Sequence, residues 1–347
     1  MQAASASKEP PIGIVYNTTM SRPDAALALA LLYGFQGKRE AKIDSVCVNG
    51  TGLGAAVYCD VLSHFYSLGQ SNSNSIFPTG LAADGALPSD PAMVVPVIEA
   101  KTDRGEFRYV REIHKVSDTS VPEAVIRNGV IANAQSTIVL SAPAGSLANS
   151  LALLGTKKLY RERVKTLIIV DASVPQDIAA MRTVLNEMPA DIVFCSKEVG
   201  AAIRYPAGSI EKDFAWAPRN PVVDAYRAFH VMPYDAPGFD LAAILYAVHS
   251  EQGYFGVSEP GTVTVGSDGT MRFAPGGPGK VRSLILDPSK MDEVIETLVA
   301  VATSKPVTAN QRADPVLPGQ TMSQILSPLR PRNVCLLLPN QPPAPES

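Results

Sequence analysis

Apolar and polar residues along this chain come in a repeating order. A short β-rich apolar run is followed by a polar or glycine-bearing turn, then by an apolar stretch with helical spacing. The first such unit predicts a strand over 12–16, the turn Asn17-Thr-Thr-Met-Ser-Arg-Pro-Asp24, and a helix over 25–34 that Gly34 closes. Pro23 suits a first helical turn, and Asp24 suits the positive end of the helix dipole. The second unit pairs a strand over 43–48 with the loop Asn49-Gly-Thr-Gly-Leu-Gly54 and a helix over 55–66. Strands over 136–140, 166–170 and 190–195 then precede helices over 147–154, about 176–186, and about 198–204. Further on, the spacing predicts a helix over 239–248, a hairpin over 262–273, a strand over 280–286 and a helix from 287 to about 303.

Strands alternating with helices imply right-handed crossovers, and so an α/β fold with a mostly parallel central sheet flanked by helices and a small C-terminal β-hairpin. The expected organisation is a flexible N-terminus over 1–11, one α/β domain over 12–304, and a Pro-rich tail over 305–347. Within that tail, Val334-Cys-Leu-Leu-Leu338 is apolar enough to dock on the body or on a partner.

Composition supports a large buried core, with 46% hydrophobic and only 18% charged residues in 347. A net charge of −3 and a pI near 5.9 offer no basic footprint for nucleic acid. Apolar runs are too short for a membrane span, and the small polar N-terminus has no signal-peptide core. The chain is therefore expected to be soluble, either cytoplasmic or exported after signal removal. Cys47, Cys59, Cys195 and Cys335 form no C-x-x-C pair and have no histidine at zinc-ligand spacing. His64, His114, His230 and His249 suit helix-face or surface roles.

Open parallel sheets bind ligands at the C-terminal ends of their strands. Those ends offer Asn17, Thr19 and Asp24, then Asn49 and Thr51, the backbone around Ala144 and Gly145 with Asn149, and Asp171; Tyr234, Asp235 and Asp240 come later in the chain. Gly50, Gly52 and Gly54 alternate, so they make neither G-x-G-x-x-G nor a phosphate loop with Lys-Ser/Thr. Asp24 by itself reads as a helix cap, since a carboxylate at a helix start often serves only in that way.

The turn Asn17–Asp24 with its Ala/Leu helix resembles the opening of the inosine/uridine-preferring nucleoside hydrolases, whose loop has the form D-x-D-P-G-x-D-D. In the same order, Ser45-Val-Cys-Val-Asn-Gly50 resembles that family's second strand and Gly-Asn loop, and Ile138-Val-Leu-Ser-Ala-Pro-Ala-Gly-Ser-Leu-Ala-Asn149 its strand ending in T-G-P-L-T-N. Phe239-Asp240-Leu-Ala-Ala-Ile-Leu-Tyr246 resembles its late H-D-P helix. The resemblance implies a calcium ion on the aspartate loop, a water attacking the anomeric carbon of a ribosyl group, a nucleoside-like small-molecule ligand and a homo-oligomer. Carried over, it implies metal contacts from Asp24, Asp240 and the backbone carbonyl of Ala144, and substrate contacts from Asn17, Thr51 and Asn149. Thr19 stands at the general-base position and Pro23 at the ribose-binding aspartate, while Phe239 replaces the histidine before Asp240. With Thr19 unable to act as a base near neutral pH, Asp240 and the neighbouring Asp171 are the candidate catalytic carboxylates.

Three readings follow. One is a hydrolase of N-ribosyl bonds with a degenerate metal site, and a second is a non-catalytic binding or interaction protein that keeps the fold. The third is an unrelated α/β protein with chance similarity in its loops.

Overall fold

Strand β1 (Ile12–Thr18) is the axis from which the sheet is laid out in both directions. This computed structural model describes residues 11–67, 77–82, 88–171 and 178–306. After β1 come α1 (Pro23–Gly37), β2 (Ala41–Val48), α2 (Leu53–Ser67), β3 (Thr79–Leu81), α3 (Val95–Ile98) and α4 (Pro122–Ile131). The middle of the chain forms β4 (Ser136–Ser141), α5 (Gly145–Ala152), α6 (Thr156–Arg163), β5 (Val164–Val170), α7 (Ile178–Glu187), β6 (Asp191–Cys195) and α8 (Lys197–Ala202). It continues through β7 (Arg204–Tyr205), α9 (Ala207–Lys212), α10 (Pro221–Phe229), β8 (Ala236–Pro237) and α11 (Phe239–Val248). Last come β9 (Phe255–Val257), β10 (Gly261–Val265), β11 (Met271–Pro275), β12 (Val281–Leu286) and α12 (Met291–Ala302).

Ten strands join in the order β11-β10-β12-β6-β5-β4-β1-β2-β3, with β9 added on β12, while β7 and β8 form a separate pair. Every neighbour from β12 to β3 is parallel, whereas β10 and β11 form the antiparallel hairpin at one edge. The expected fold class is what the structure shows. Its strands are apolar at successive residues because both faces are covered, as parallel sheets require. Ile14, Tyr16, Val139, Ile168 and Val193 enter the core on the α1 and α11 side. The residues between them, Val15, Ile138, Leu140, Leu167 and Ile192, enter a second core with Met181 and Val184 of α7.

Several boundaries differ from the sequence reading. Gly34 does not close α1, which runs on to Gly37. A Cβ at position 34 would lie 2.2 Å from the Val301 carbonyl oxygen, so this glycine lets α1 and α12 approach closely. Helix α5 starts at Gly145 and ends at Ala152, leaving Leu154 outside it and 98% exposed. Arg204, expected in a helix, lies in β7. Elements α4, α6, α9 and α10 had no counterpart in the predicted series. The start of the helix expected from about 176 and the apolar segment 334–338 with Cys335 lie outside the described residues. Among the described residues no helix is long and apolar enough to cross a membrane.

From β1 the chain moves outward through β2 and β3, then returns to place β4 on the other side of β1. Loops leaving β1 and β4 therefore diverge, and the crevice between them is the site such a sheet offers a ligand.

Candidate functional site

Two helix starts and two strand ends meet in that crevice. Arg22 is the N-cap residue of α1, with Asp24 in its first turn. Asp240 lies in the first turn of α11. Tyr16 is near the end of β1, and Ser141 is the last residue of β4. The Arg22 guanidinium spans the two carboxylates, with Nε 3.1 Å from Asp24 Oδ1 and Nη2 2.9 Å from Asp240 Oδ1. The Ser141 hydroxyl donates to the same Asp240 oxygen at 2.5 Å, and the Tyr16 hydroxyl donates to the other. The backbone N–H of Asp240 donates to Asp24 Oδ2 at 2.9 Å. Every carboxylate oxygen of the pair is thus satisfied from within. Asp24 sits in the first turn of its own helix, yet its carboxylate accepts from the start of a helix 216 residues away.

The carboxylates are 1% and 0% exposed and the Arg22 side chain 17%, so only the cation reaches toward solvent. Burial raises Asp240 to about 6, helped by the charge of Asp24 and opposed by Arg22, Ser141 and Tyr16. Burial works against the Arg22 charge, but Asp24 and Asp240 outweigh it and hold the guanidinium above its usual value. Burial, reinforced by Asp240, keeps the Tyr16 hydroxyl protonated far above its ordinary range. The Arg22 guanidinium also lies 5.2 Å from the Phe239 ring centre.

Neutral groups surround this cluster. Thr19 Oγ1 lies 2.6 Å from Ser21 Oγ, and Thr51 ties the first two strand-end loops together by donating to the Thr19 carbonyl at 2.9 Å. Asn17 donates to the Val139 carbonyl at 3.5 Å, and Asn49 accepts from Ser146. Both side chains are buried, yet Asn17 Oδ1 and Asn49 Nδ2 have no partner among the described residues. Asp171 follows β5, and its N–H donates to the Cys195 carbonyl at 2.9 Å. Burial raises the Cys195 thiol, and the charges of Asp240, Asp171 and Asp24 add to the effect.

The other candidates stand apart. Asn149 is exposed on α5. The Ala144 carbonyl accepts the Ala148 N–H at 2.9 Å as the first turn of α5 forms. Tyr234 donates to the Tyr226 carbonyl, and Asp235 accepts from the Ala207 N–H, so both serve the packing of α9 and α10. Sequence reasoning missed Arg22, Tyr16 and Ser141. The available signal was that Arg22 is the only basic residue between positions 11 and 37, a block that is otherwise almost wholly buried.

No protein-family model matches this sequence, and no curated protein is similar to it. Solved structures are similar in fold. An inosine-uridine preferring nucleoside hydrolase from Bacillus anthracis matches with a TM-score of 0.60 over 84% of this chain and 99% of its own, at 12% identity. A plant nucleoside hydrolase gives 0.60 over 85% and 100%, at 16% identity. This chain has the nucleoside hydrolase fold. The type III effector XopQ, complexed with adenosine diphosphate ribose, matches with a TM-score of 0.56 over 85% and 94%, at 11% identity.

A divalent ion, which the sequence resemblance implies, does not fit the residues present. Such an ion needs several oxygens not already engaged. Here the facing oxygens of Asp24 and Asp240 are both bound to Arg22, and the Ala144 carbonyl serves its own helix. Among the described residues no three His, Cys, Asp or Glu side chains are grouped to hold a metal.

Proposed function

We propose that this chain is a binding protein on the nucleoside hydrolase fold, which takes a ribosyl-containing small molecule at the ends of β1, β2 and β4 and leaves its N-glycosidic bond intact. One observation carries the reading: a guanidinium, rather than a metal-bound water, lies between the acidic residues of the crevice. Hydrolysis needs a group that takes a proton from water and a means of activating that water. Thr19 is a hydroxyl engaged with Ser21, and the Asp240 oxygens already accept from Tyr16, Ser141 and Arg22.

A ligand site, rather than an inert remnant, is supported by the two Asn side chains. Buried polar groups are almost always paired. Asn17 Oδ1 and Asn49 Nδ2 supply an acceptor and a donor at adjacent strand ends, which suits the hydroxyls of a sugar. Thr51, which joins the first two strand-end loops, is assigned to the rim of the same site together with Asp171 at the end of β5. Because one structure with this fold holds adenosine diphosphate ribose, that molecule belongs in the test with inosine and uridine.

Calorimetry against these three compounds, run beside a reducing-sugar assay, decides the matter. Binding of at least one is expected, with no ribose released, and Asn49→Ala should weaken it about tenfold, or roughly 1.4 kcal/mol. Ribose release that disappears in Asp240→Asn would establish the hydrolase reading instead. Failure of the whole panel to bind would leave the ligand-binding reading without support.

A further inference from the structure

We infer that the cavity between the start of α2 and the segment 99–114 is a phosphate-binding site, so that the ligand this chain takes is a phosphorylated one. The inference rests on the proposed reading for the sugar and adds the chemical class of the ligand's other end.

The cavity has a volume of about 480 Å³ and is lined by Leu53 and Gly54 of α2 together with Lys101, Phe107 and Arg111. Lys101 and Phe107 are paired in a short antiparallel bridge, which the backbone bonds from Thr102 to Glu106 and from Arg108 to Ala100 close at 2.8 Å. Just past Arg111, the N–H groups of Glu112 and Ile113 donate to the buried Asp60 carboxylate at 2.5 and 2.9 Å. Both cations are therefore carried on backbone that is tied down. Lys101 Nζ lies 2.9 Å and the Arg111 guanidinium carbon 3.5 Å from the centre of the Phe107 ring, so one ring gathers two positive groups.

Among the described residues neither cation forms an ion pair, and of the two side chains only Arg111 makes a hydrogen bond, from Nη1 to the Ile98 carbonyl at 3.0 Å. Arg111 Nε is buried without a partner, where such donors are nearly always paired. Partial burial lowers Arg111 below its usual value, although Asp60 and Glu99 pull the other way. The acids of the lining do not supply the missing anion. Asp90 is turned to α2, since its Oδ1 accepts the Gly54 N–H at 2.6 Å, and a Cβ on Gly52 or Gly54 would lie 2.2 or 2.6 Å from that carboxylate. Two of the three alternating glycines thus make room for Asp90. Glu99 and His114 are exposed to water. A phosphate offers several acceptor oxygens at once, to an ammonium and to a guanidinium fork together. Leu53 comes two residues after Thr51, whose hydroxyl reaches the Thr19 carbonyl in the crevice, and two residues span at most about 7 Å. The cavity therefore adjoins the sugar site.

The test is calorimetry on the full chain with inosine, inosine diphosphate and inorganic pyrophosphate, for the wild type, Lys101→Gln, Lys101→Arg and Asn49→Ala, with circular dichroism as the check on folding. Lys101 is exposed and its side chain makes no hydrogen bond, so its variants keep the fold. The wild type should bind pyrophosphate alone, and inosine diphosphate at least about tenfold more tightly than inosine. Lys101→Gln should cut pyrophosphate affinity and the preference for the diphosphate about tenfold, equivalent to about 1.4 kcal/mol, while Lys101→Arg keeps both. Added salt should weaken pyrophosphate binding in the wild type. The inference is overturned if the diphosphate binds no more tightly than inosine, or if Lys101→Gln leaves pyrophosphate affinity unchanged. Pyrophosphate binding that depends on Lys101, with inosine diphosphate indifferent to Asn49→Ala, would defeat the sugar reading and leave the phosphate site standing. Inosine binding that Asn49→Ala weakens, with nothing gained from the phosphates, would do the reverse.

Discussion

Replacing Arg22 with methionine keeps much of the side chain's length and removes its charge. Two carboxylates, 1% and 0% exposed, would then face each other with no cation between them. At an effective dielectric of about 20, each lost attraction at a charge separation near 4 Å is worth roughly 4 kcal/mol. Desolvation offsets much of that, and removing one partner from a buried pair costs about 3–5 kcal/mol in practice. In a domain of this size about 1 kcal/mol moves the melting midpoint by roughly 2 °C, so a fall of roughly 6–10 °C is expected at neutral pH. The loss should depend on pH in a defined direction. Asp240 already titrates above its ordinary value in the folded chain, and losing Arg22 raises it further. A raised carboxylate favours folding below its unfolded value of 3.8 and loses that contribution as pH rises through the folded value. The variant's deficit should therefore shrink between pH 7 and pH 4. Chemical denaturation at both pH values measures it, and a cycle with Asp240→Asn should show coupling of about 0.5–3 kcal/mol. A midpoint unchanged at neutral pH, or a deficit independent of pH, would refute the charge argument.

Other outcomes can be checked on the same chain. Tyr16→Phe removes a hydrogen bond to a charged acceptor and should cost about 1.5–3 kcal/mol in denaturant melts. Asp240→Asn should flatten the stability profile between pH 4 and 6, where the wild type loses stability as pH rises through about 6. Gly34→Ala brings a Cβ to 2.2 Å from the Val301 carbonyl, so overpacking of about 1–3 kcal/mol should exceed the helix-propensity gain of about 1 kcal/mol. Thr51→Val loses the bond to the Thr19 carbonyl and should cost about 1 kcal/mol while loosening the first loop, seen as faster amide exchange there.

Much of the sheet was legible because parallel strands covered on both faces are written as unbroken apolar runs. Residues 12–16, 138–140 and 167–170 are such runs inside β1, β4 and β5. Short elements escaped notice. Strand β3 has three residues and β7 two, too few for any periodicity. Helix α4 did carry a signal, with Val125, Ile126, Gly129 and Val130 buried at helical spacing after Pro122. Gly34 misled because a glycine late in a helical run reads as a stop, and only the neighbouring helix α12 shows it to be a contact.

The residues of the crevice divide in the same way. The sequence by itself determined that acids are missing from the first loop, because Asn17, Thr19 and Pro23 can be read where the resemblance implies aspartates. It also determined the strand-and-helix order, since apolar period and turn chemistry are local properties. Only the tertiary structure decided what became of the two acids that remain. Arg22 and Asp240 are 218 residues apart, and nothing local announces that one neutralises the other. Their pairing arises because β1 and β4 are neighbours in the sheet while α1 and α11 both begin at its ligand end, which carries a cation and two carboxylates into one dry space.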